Sequence, residues 1–404
     1  MQNEKIKRIK NILFDYYPFM VLVLFILLFT FGFDRARMRF ADIMSVPIVP
    51  INIFSACLII SLFGILITLF SKQFKLDIIA WLLLMRIILF VFASFDVAGY
   101  EYKLVVLYSV VQCFIAYMIG KNYKKDFKYI YILLFVFSIF VSLEIFYIPI
   151  KNDVNFFPVA DSPSKYYMEL PMGKHNFITC MLIPLYLLLT NCFIKNKKVY
   201  IIYSLFIGLA VLVTSSRWGF IMYLLFTFIN NIDNLKKVIL SKKYLNVLLI
   251  IVLMVLLFCG IFWKQIYEII VNVVSRYSLS IFSSRLAIFK ESLSLFIKHP
   301  LFGRTGYSYL IAKSTSAHNF ILESLVQTGI VGTIILFICL YLVIKKIQTI
   351  KDLNVRKGYL LFVVSFLFQG LAETNMFSLR ADFYFWLIVS FGIANSFINN
   401  SKKL

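Results

Sequence analysis

The chain has 404 residues, 61% hydrophobic and 15% charged, and its 41 lysines and arginines outweigh 19 aspartates and glutamates for a formal charge of +22. The apolar residues fall in long unbroken runs rather than in the alternation of a soluble core, which excludes a sizeable water-soluble domain. The positive charge does not by itself point to nucleic acid, because in a membrane protein lysine and arginine first of all set topology.

Apolar runs of roughly 20 residues match a hydrocarbon thickness of ~30 Å, and in lipid such runs satisfy their backbone as helices. The expected fold class is an all-α integral membrane protein with about 12 transmembrane helices. The spans read as 17–33, 46–70, 78–95, 103–120, 129–150, 176–194, 199–214, 218–230, 245–263, 318–344, 358–377 and 382–398. Residues 1–16 form a cytoplasmic N-terminus, 17–263 the first nine helices, 264–317 a large outer loop, 318–398 the last three helices and 399–404 a cytoplasmic C-terminus. The first run is followed by another span and lacks a small-residue cleavage site, so it reads as a retained helix. Lysine clusters at Lys121/Lys124/Lys125/Lys128, Lys195/Lys197/Lys198 and Lys345/Lys346 mark inner loops. All six cysteines lie inside predicted spans without metal-ligand spacing, so no disulfide or zinc role is expected.

Arginine is distributed against that trend. Among the inner segments only Arg8 and Arg356 occur, whereas Arg35, Arg37, Arg39, Arg217, Arg276, Arg285, Arg304 and Arg380 fall on the outer side. A guanidinium binds phosphate or carboxylate bidentately and stays charged when partly buried, so this face suggests an anionic ligand; pairing with outer acids or lipid headgroups is the alternative. In the third span Arg86 sits in LLLMRIILF, with Glu323, Glu373 or Glu144 as candidate partners for a structural or a functional ion pair.

The outer loop contains SSRLAIFKESLSLFIKHPLFG. Ser283 or Ser284 can cap a helix there, Leu286, Phe289, Leu293 and Phe296 form an apolar stripe, and His299-Pro300 and Gly303 end it. This predicts an amphipathic helix on the outer membrane surface with Arg285 near its N-terminus, where the dipole favours an anion. The tenth span opens HNFILESLVQTGIVG, in which Asn319, Glu323 and Gln327 form a polar stripe below His318. A second stripe, Ser365/Gln369/Glu373, is expected down the eleventh span. His175-Asn176-Phe177-Ile178 repeats the HNFI of the tenth helix at the start of the sixth and suggests a second cavity-lining position. A histidine at the outer end of a cavity suits general-base work, although a cap or interfacial residue is the commoner use.

These features together resemble the O-antigen ligase and polymerase family, the Wzy-type polymerases and WaaL-type ligases of bacterial surface polysaccharide assembly. The resemblance rests on His318-Asn319, nine residues and Gly329, on His299-Pro300-Leu301-Phe302-Gly303-Arg304-Thr305-Gly306, and on TSSRWG with Arg217. It implies a metal-independent, cofactor-free glycosyltransferase of the GT-C type. Its substrate would be an undecaprenyl-diphosphate-linked glycan on the outer side of the bacterial inner membrane. By that resemblance Arg217 and Arg285 bind the lipid diphosphate and His318 activates or orients the acceptor hydroxyl; Arg86, Arg304, Asn319, Glu323, His175, Asn176 and Glu373 are further substrate-binding candidates from their positions in the sequence. The implied partners are membrane lipids and the chain-length regulator and flippase of the same pathway, with no nucleic acid.

A polymerase of repeat units into O-antigen or capsular polysaccharide is favoured over a ligase to lipid A core. The aromatic outer residues Tyr166, Tyr167, Tyr277, Tyr307 and Tyr309 suit stacking on sugars. The residues eleven after Arg217 and Arg285 are Phe228 and Phe296, not the glycine of some polymerases. A lipid-linked oligosaccharide flippase would show two related halves and charges deep in several spans, whereas here Arg86 is the one basic residue deep in a span.

Overall fold

The computed structural model describes residues 14–27, 53–70, 75–92, 94–95, 100–151, 169–170, 173–239, 280–305, 317–373, 375–376 and 379–401. Within them the chain is helical apart from four two-residue strands. In order come α1 (Phe14–Leu27), α2 (Ile53–Phe70), α3 (Ile78–Phe92), β1 (Ser94–Phe95), α4 (Tyr100–Gly120), α5 (Phe127–Lys151), β2 (Glu169–Leu170) and β3 (Gly173–Lys174). Then follow α6 (His175–Cys192), α7 (Lys197–Val213), α8 (Arg217–Ile239), α9 (Ser280–Lys298), β4 (Arg304–Thr305), α10 (Phe320–Gln348), α11 (Leu353–Gln369) and α12 (Leu379–Ser401). Helices α1–α8 and α10–α12 fall on predicted spans and α9 falls in the outer loop. The predicted span 245–263, Arg35, Arg37, Arg39, Arg276 and the tyrosines 166, 167, 277, 307 and 309 lie outside the described residues.

Among the described residues three helices, α5, α6 and α10, are long and apolar enough to cross a bilayer, and four shorter stretches (Phe14–Leu27, Ile59–Phe70, Ile78–Val91, Leu107–Gly120) are apolar too. Their burial is inside out. On α5 the exposed face is Ile132, Val136, Phe140, Leu143, Tyr147 and Ile150, while Ser138 and Ser142 are fully buried. On α3 Ile78, Trp81, Met85 and Ile88 are exposed, while Arg86 on the opposite face is 3% exposed. Water would penalise such continuous apolar faces, whereas lipid accepts them and drives polar groups inward, so the chain is a membrane protein.

Two helix pairs form the closest packing, α4 with α12 and α6 with α11. In the first, Gly120 lets the backbones meet: a Cβ there would fall 2.8 Å from the carbonyl oxygen of Leu387. Small residues at such crossings allow the close contact that drives helix association in lipid. In the second, Gln369 donates from Nε2 to the carbonyl of Thr179 at 2.8 Å, and Phe366 of α11 stacks on Phe385 of α12 at 4.5 Å.

Helix α10 is broken. Gly329 has φ 64° and ψ −169°, which separates a short N-terminal segment from a longer C-terminal one. The N–H groups released beyond the break are taken up by the HPLFG turn: Ile330 donates to Pro300 O at 2.8 Å and Val331 to Leu301 O at 3.2 Å. Gly303 also lies in the left-handed region (φ 69°) and packs on the break, so that a Cβ on it would meet Gly329 N at 2.5 Å. Non-helical backbone at membrane depth persists where protein satisfies it, and here the two family motifs satisfy each other.

One local expectation is corrected. Helix α9 begins at Ser280 rather than at a Ser283 or Ser284 cap, which puts Arg285 in its second turn, beyond the strongest part of the dipole. Of the expected stripe, Leu293 is exposed and Phe289 and Phe296 are half-buried, while Ser292 and Leu295 are buried and α9 packs on α10.

Candidate active site

The N-terminal end of α10 starts with a turn rather than a helix. Asn319 is the N-cap, its side chain accepting from Ile321 N at 2.9 Å and Leu322 N at 3.1 Å. This leaves His318 outside the helix in the left-handed region, at φ 49°. Such a conformation is uncommon outside glycine and persists only where its surroundings hold it. Several groups hold it here. Glu323 is fully buried, its Oε2 accepts the N–H of Ala317 at 2.9 Å, and its Oε1 accepts from Gln327 Nε2 at 2.9 Å. Phe320 N donates to Gly370 O at 2.8 Å, and Asn319 Nδ2 donates to Leu371 O at 3.0 Å.

The same contacts explain why α11 ends early. It stops at Gln369 with Gly370 as C-cap, and Asn375 Nδ2 donates to Phe366 O at 2.5 Å. The expected Ser365/Gln369/Glu373 stripe is therefore corrected: Ser365 and Gln369 are helical and buried, but Glu373 belongs to the turn that follows. From that turn its carboxylate reaches back across the bundle. Oε2 lies 3.3 Å from Nδ1 of His318, and Oε1 accepts from Asn176 Nδ2. The carboxylate is 7% exposed and the imidazole 29%, so one end of the pair is buried and the other opens outward.

The chain of polar contacts continues to α8. Asn176 Oδ1 accepts from Ser216 Oγ at 2.8 Å, and Ser216 Oγ accepts the N–H of Gly219 at 3.1 Å. Ser216 thereby caps the helix whose first residue is the exposed Arg217. Thr179 supports the junction, donating to Asn176 O at 2.8 Å and to Ser216 Oγ at 3.3 Å. His318, Glu373, Asn176 and Ser216 thus form one connected series across α10, the turn after α11, α6 and the start of α8. Ser216 was not among the expected residues; a serine directly before Arg217 was the signal that could have identified it.

The remaining candidates are distributed around this series. His175, half-buried, is the first residue of α6 beside Asn176. Arg304 lies on β4, which pairs in parallel with β1 (Ser94 with Arg304), and its Nη1 is 3.4 Å from His299 Nε2. Arg285 lies on the backbone of α9. Arg86 is 3% exposed on α3 and so is held inside the bundle. The oxygens of Glu323 are engaged by Ala317 and Gln327, which makes it a support of the turn.

Chemically, the arrangement offers a partly exposed imidazole at one end of a helix, backed by a buried carboxylate, with a guanidinium at a neighbouring helix start. That set suits proton removal from a hydroxyl beside a developing anion.

Residues 202–337 match the sequence profile of a family described as O-antigen ligase (Wzy_C). The matched stretch contains Arg217, Arg285, Arg304, His318 and Glu323, and it bears out the resemblance to the O-antigen ligase and polymerase superfamily. No curated protein matches the chain.

Proposed function

From the O-antigen ligase match over residues 202–337, we propose that this membrane protein polymerises undecaprenyl-diphosphate-linked oligosaccharide repeat units into O-antigen or capsular polysaccharide. The reaction takes place on the outer face of a bacterial inner membrane. In this reading the chain is a metal-independent glycosyltransferase with the GT-C arrangement, about twelve spans and both termini cytoplasmic.

The observation that carries the reading is the connected series from His318 through Glu373, Asn176 and Ser216 to the helix start that bears Arg217. It ties a base to an anion-binding position across four elements. A ring nitrogen of His318 takes the proton from the acceptor sugar hydroxyl as its oxygen forms a bond to C1 of the donor glycan. The bond from C1 to the phosphate oxygen breaks, and the lipid diphosphate leaves with its charge held by Arg217 and Arg285. Arg304, His175, Asn319 and Arg86 line or support the substrate path. A leaving group that already carries diphosphate calls for charge stabilisation rather than further activation.

The test is turnover by purified full-length protein in detergent, given a lipid-diphosphate-linked repeat unit, no nucleotide and excess chelator, with products resolved by size. A ladder of growing length that disappears in His318→Ala supports polymerisation. Transfer that occurs only when lipid A core is added makes the protein a ligase, the second reading, which the name of the matched family favours.

A further inference from the structure

We infer that Glu373 is a positioning residue that fixes the tautomer of His318, keeping Nδ1 protonated so that Nε2 is the nitrogen offered to the acceptor hydroxyl. This rests on the reading of His318 as the base and goes beyond it by assigning which nitrogen acts and what sets it. Glu373 had been a candidate for touching substrate. Its carboxylate is instead 7% exposed and turned inward.

The argument is one of donors and acceptors. Asn176 has a fixed orientation: its Oδ1 accepts from the hydroxyl of Ser216, which itself accepts the N–H of Gly219, so the amide nitrogen is the end that faces Glu373. Glu373 Oε1 therefore accepts. The second oxygen, Oε2, faces Nδ1 of His318 at 3.3 Å. A carboxylate held as an acceptor on one side pairs best with an N–H on the other, which puts the ring proton on Nδ1 and leaves the Nε2 lone pair bare. Separation of this length is common before substrate binds and shortens when the imidazole becomes charged in the reaction. The backbone that carries the imidazole is itself held at φ 49° between the Ala317–Glu323 contact and the Asn319 cap, which fixes where the ring starts from.

Glu373→Gln tests this directly because it keeps the shape and reverses the polarity. Its amide oxygen can still accept from Asn176, but its NH2 then faces Nδ1 and favours the tautomer with the proton on Nε2, which cannot take another. The analogous carboxylate-to-amide change in a Ser-His-Asp triad costs about 10⁴-fold in kcat. We expect a fall in kcat of about 10²–10⁴-fold with KM within about threefold of wild type, and partial recovery in Glu373→Asp. A role confined to stability would not separate kcat from KM in this way.

The second measurement needs no variant at Glu373. Histidine-selective ¹⁵N spectra of the wild-type protein in detergent at mildly alkaline pH, with the His318 signals identified by their loss in His318→Ala, should show a protonated Nδ1 and a bare Nε2. A proton on Nε2 in wild type overturns the inference, and so does a Glu373→Gln enzyme with wild-type kcat. Normal turnover in His318→Ala instead overturns the underlying assignment of the base, so the two failures are distinguishable.

Discussion

The N–H of Ile330 donates to the carbonyl of Pro300 at 2.8 Å. That bond joins the turn after α9 to the middle of α10, at the step where Gly329 opens the helix and Gly303 fills the opening. The catalytic candidate stands eleven residues before Gly329, so the position of His318 depends on how that turn is seated.

Gly329→Ala should damage both stability and turnover. The added Cβ would fall 2.3 Å from the carbonyl oxygen of Leu301, and the backbone is already at positive φ. Strain of that kind costs about 1–3 kcal/mol, measurable as a lower melting temperature in detergent. Gly332→Ala is the comparison: its Cβ would crowd the Cβ and Oγ1 of Thr328 at 2.4 Å, but its backbone is not at positive φ, so the loss should be smaller. Equal losses in the two variants would remove the special role of the break.

Glu323→Gln should lower activity by loosening the histidine turn rather than by losing a substrate contact. A glutamine retains one acceptor oxygen where two are used, by Ala317 N and Gln327 Nε2. Leaving a buried donor unsatisfied costs about 1–3 kcal/mol. The check is thermal unfolding together with turnover: reduced stability with substrate affinity unchanged is the expected outcome.

Ser216→Ala removes the cap of α8 and the donor to Asn176 together. The expected cost is about 1 kcal/mol of stability, with a larger fall in turnover because the end of the series nearest Arg217 is released. Kinetics of Ser216→Ala beside Asn176→Ala, and of the double variant, provide the test. Non-additive effects are expected for residues that share one network.

Arg217→Lys and Arg285→Lys retain charge but lose the planar fork. If both hold the diphosphate, each should reduce kcat/KM by about 10- to 100-fold, and neither loss should be restored by raising enzyme concentration alone. Wild-type kinetics in either variant would remove that arginine from the site.

Much of the bundle was legible because a lipid-facing helix must be apolar over its whole length, and the observed helices fall on the apolar runs. His318 and Asn319 were legible from their place at a span boundary, and Asn176 from the repeated HNFI. Glu373 was recognised, but it was assigned to a helix that had already ended. Polar spacing at i, i+4 and i+8 continues formally across Gly370, and only the glycine and Asn375 signal the turn. The seating of Pro300 and Leu301 on the break had no local signature, since each partner satisfies backbone groups of a distant segment.

A clasp made from one short turn has a consequence for how such proteins diversify. Because His299 to Gly303 anchor α9 to α10 through backbone groups, the attachment makes few demands on the side chains around it. The loop on either side can lengthen, shorten or change its aromatic content while the histidine turn keeps its place. If the proposed function holds, exchanging the segment beside this clasp between two such proteins should transfer glycan preference without disturbing the His318 turn.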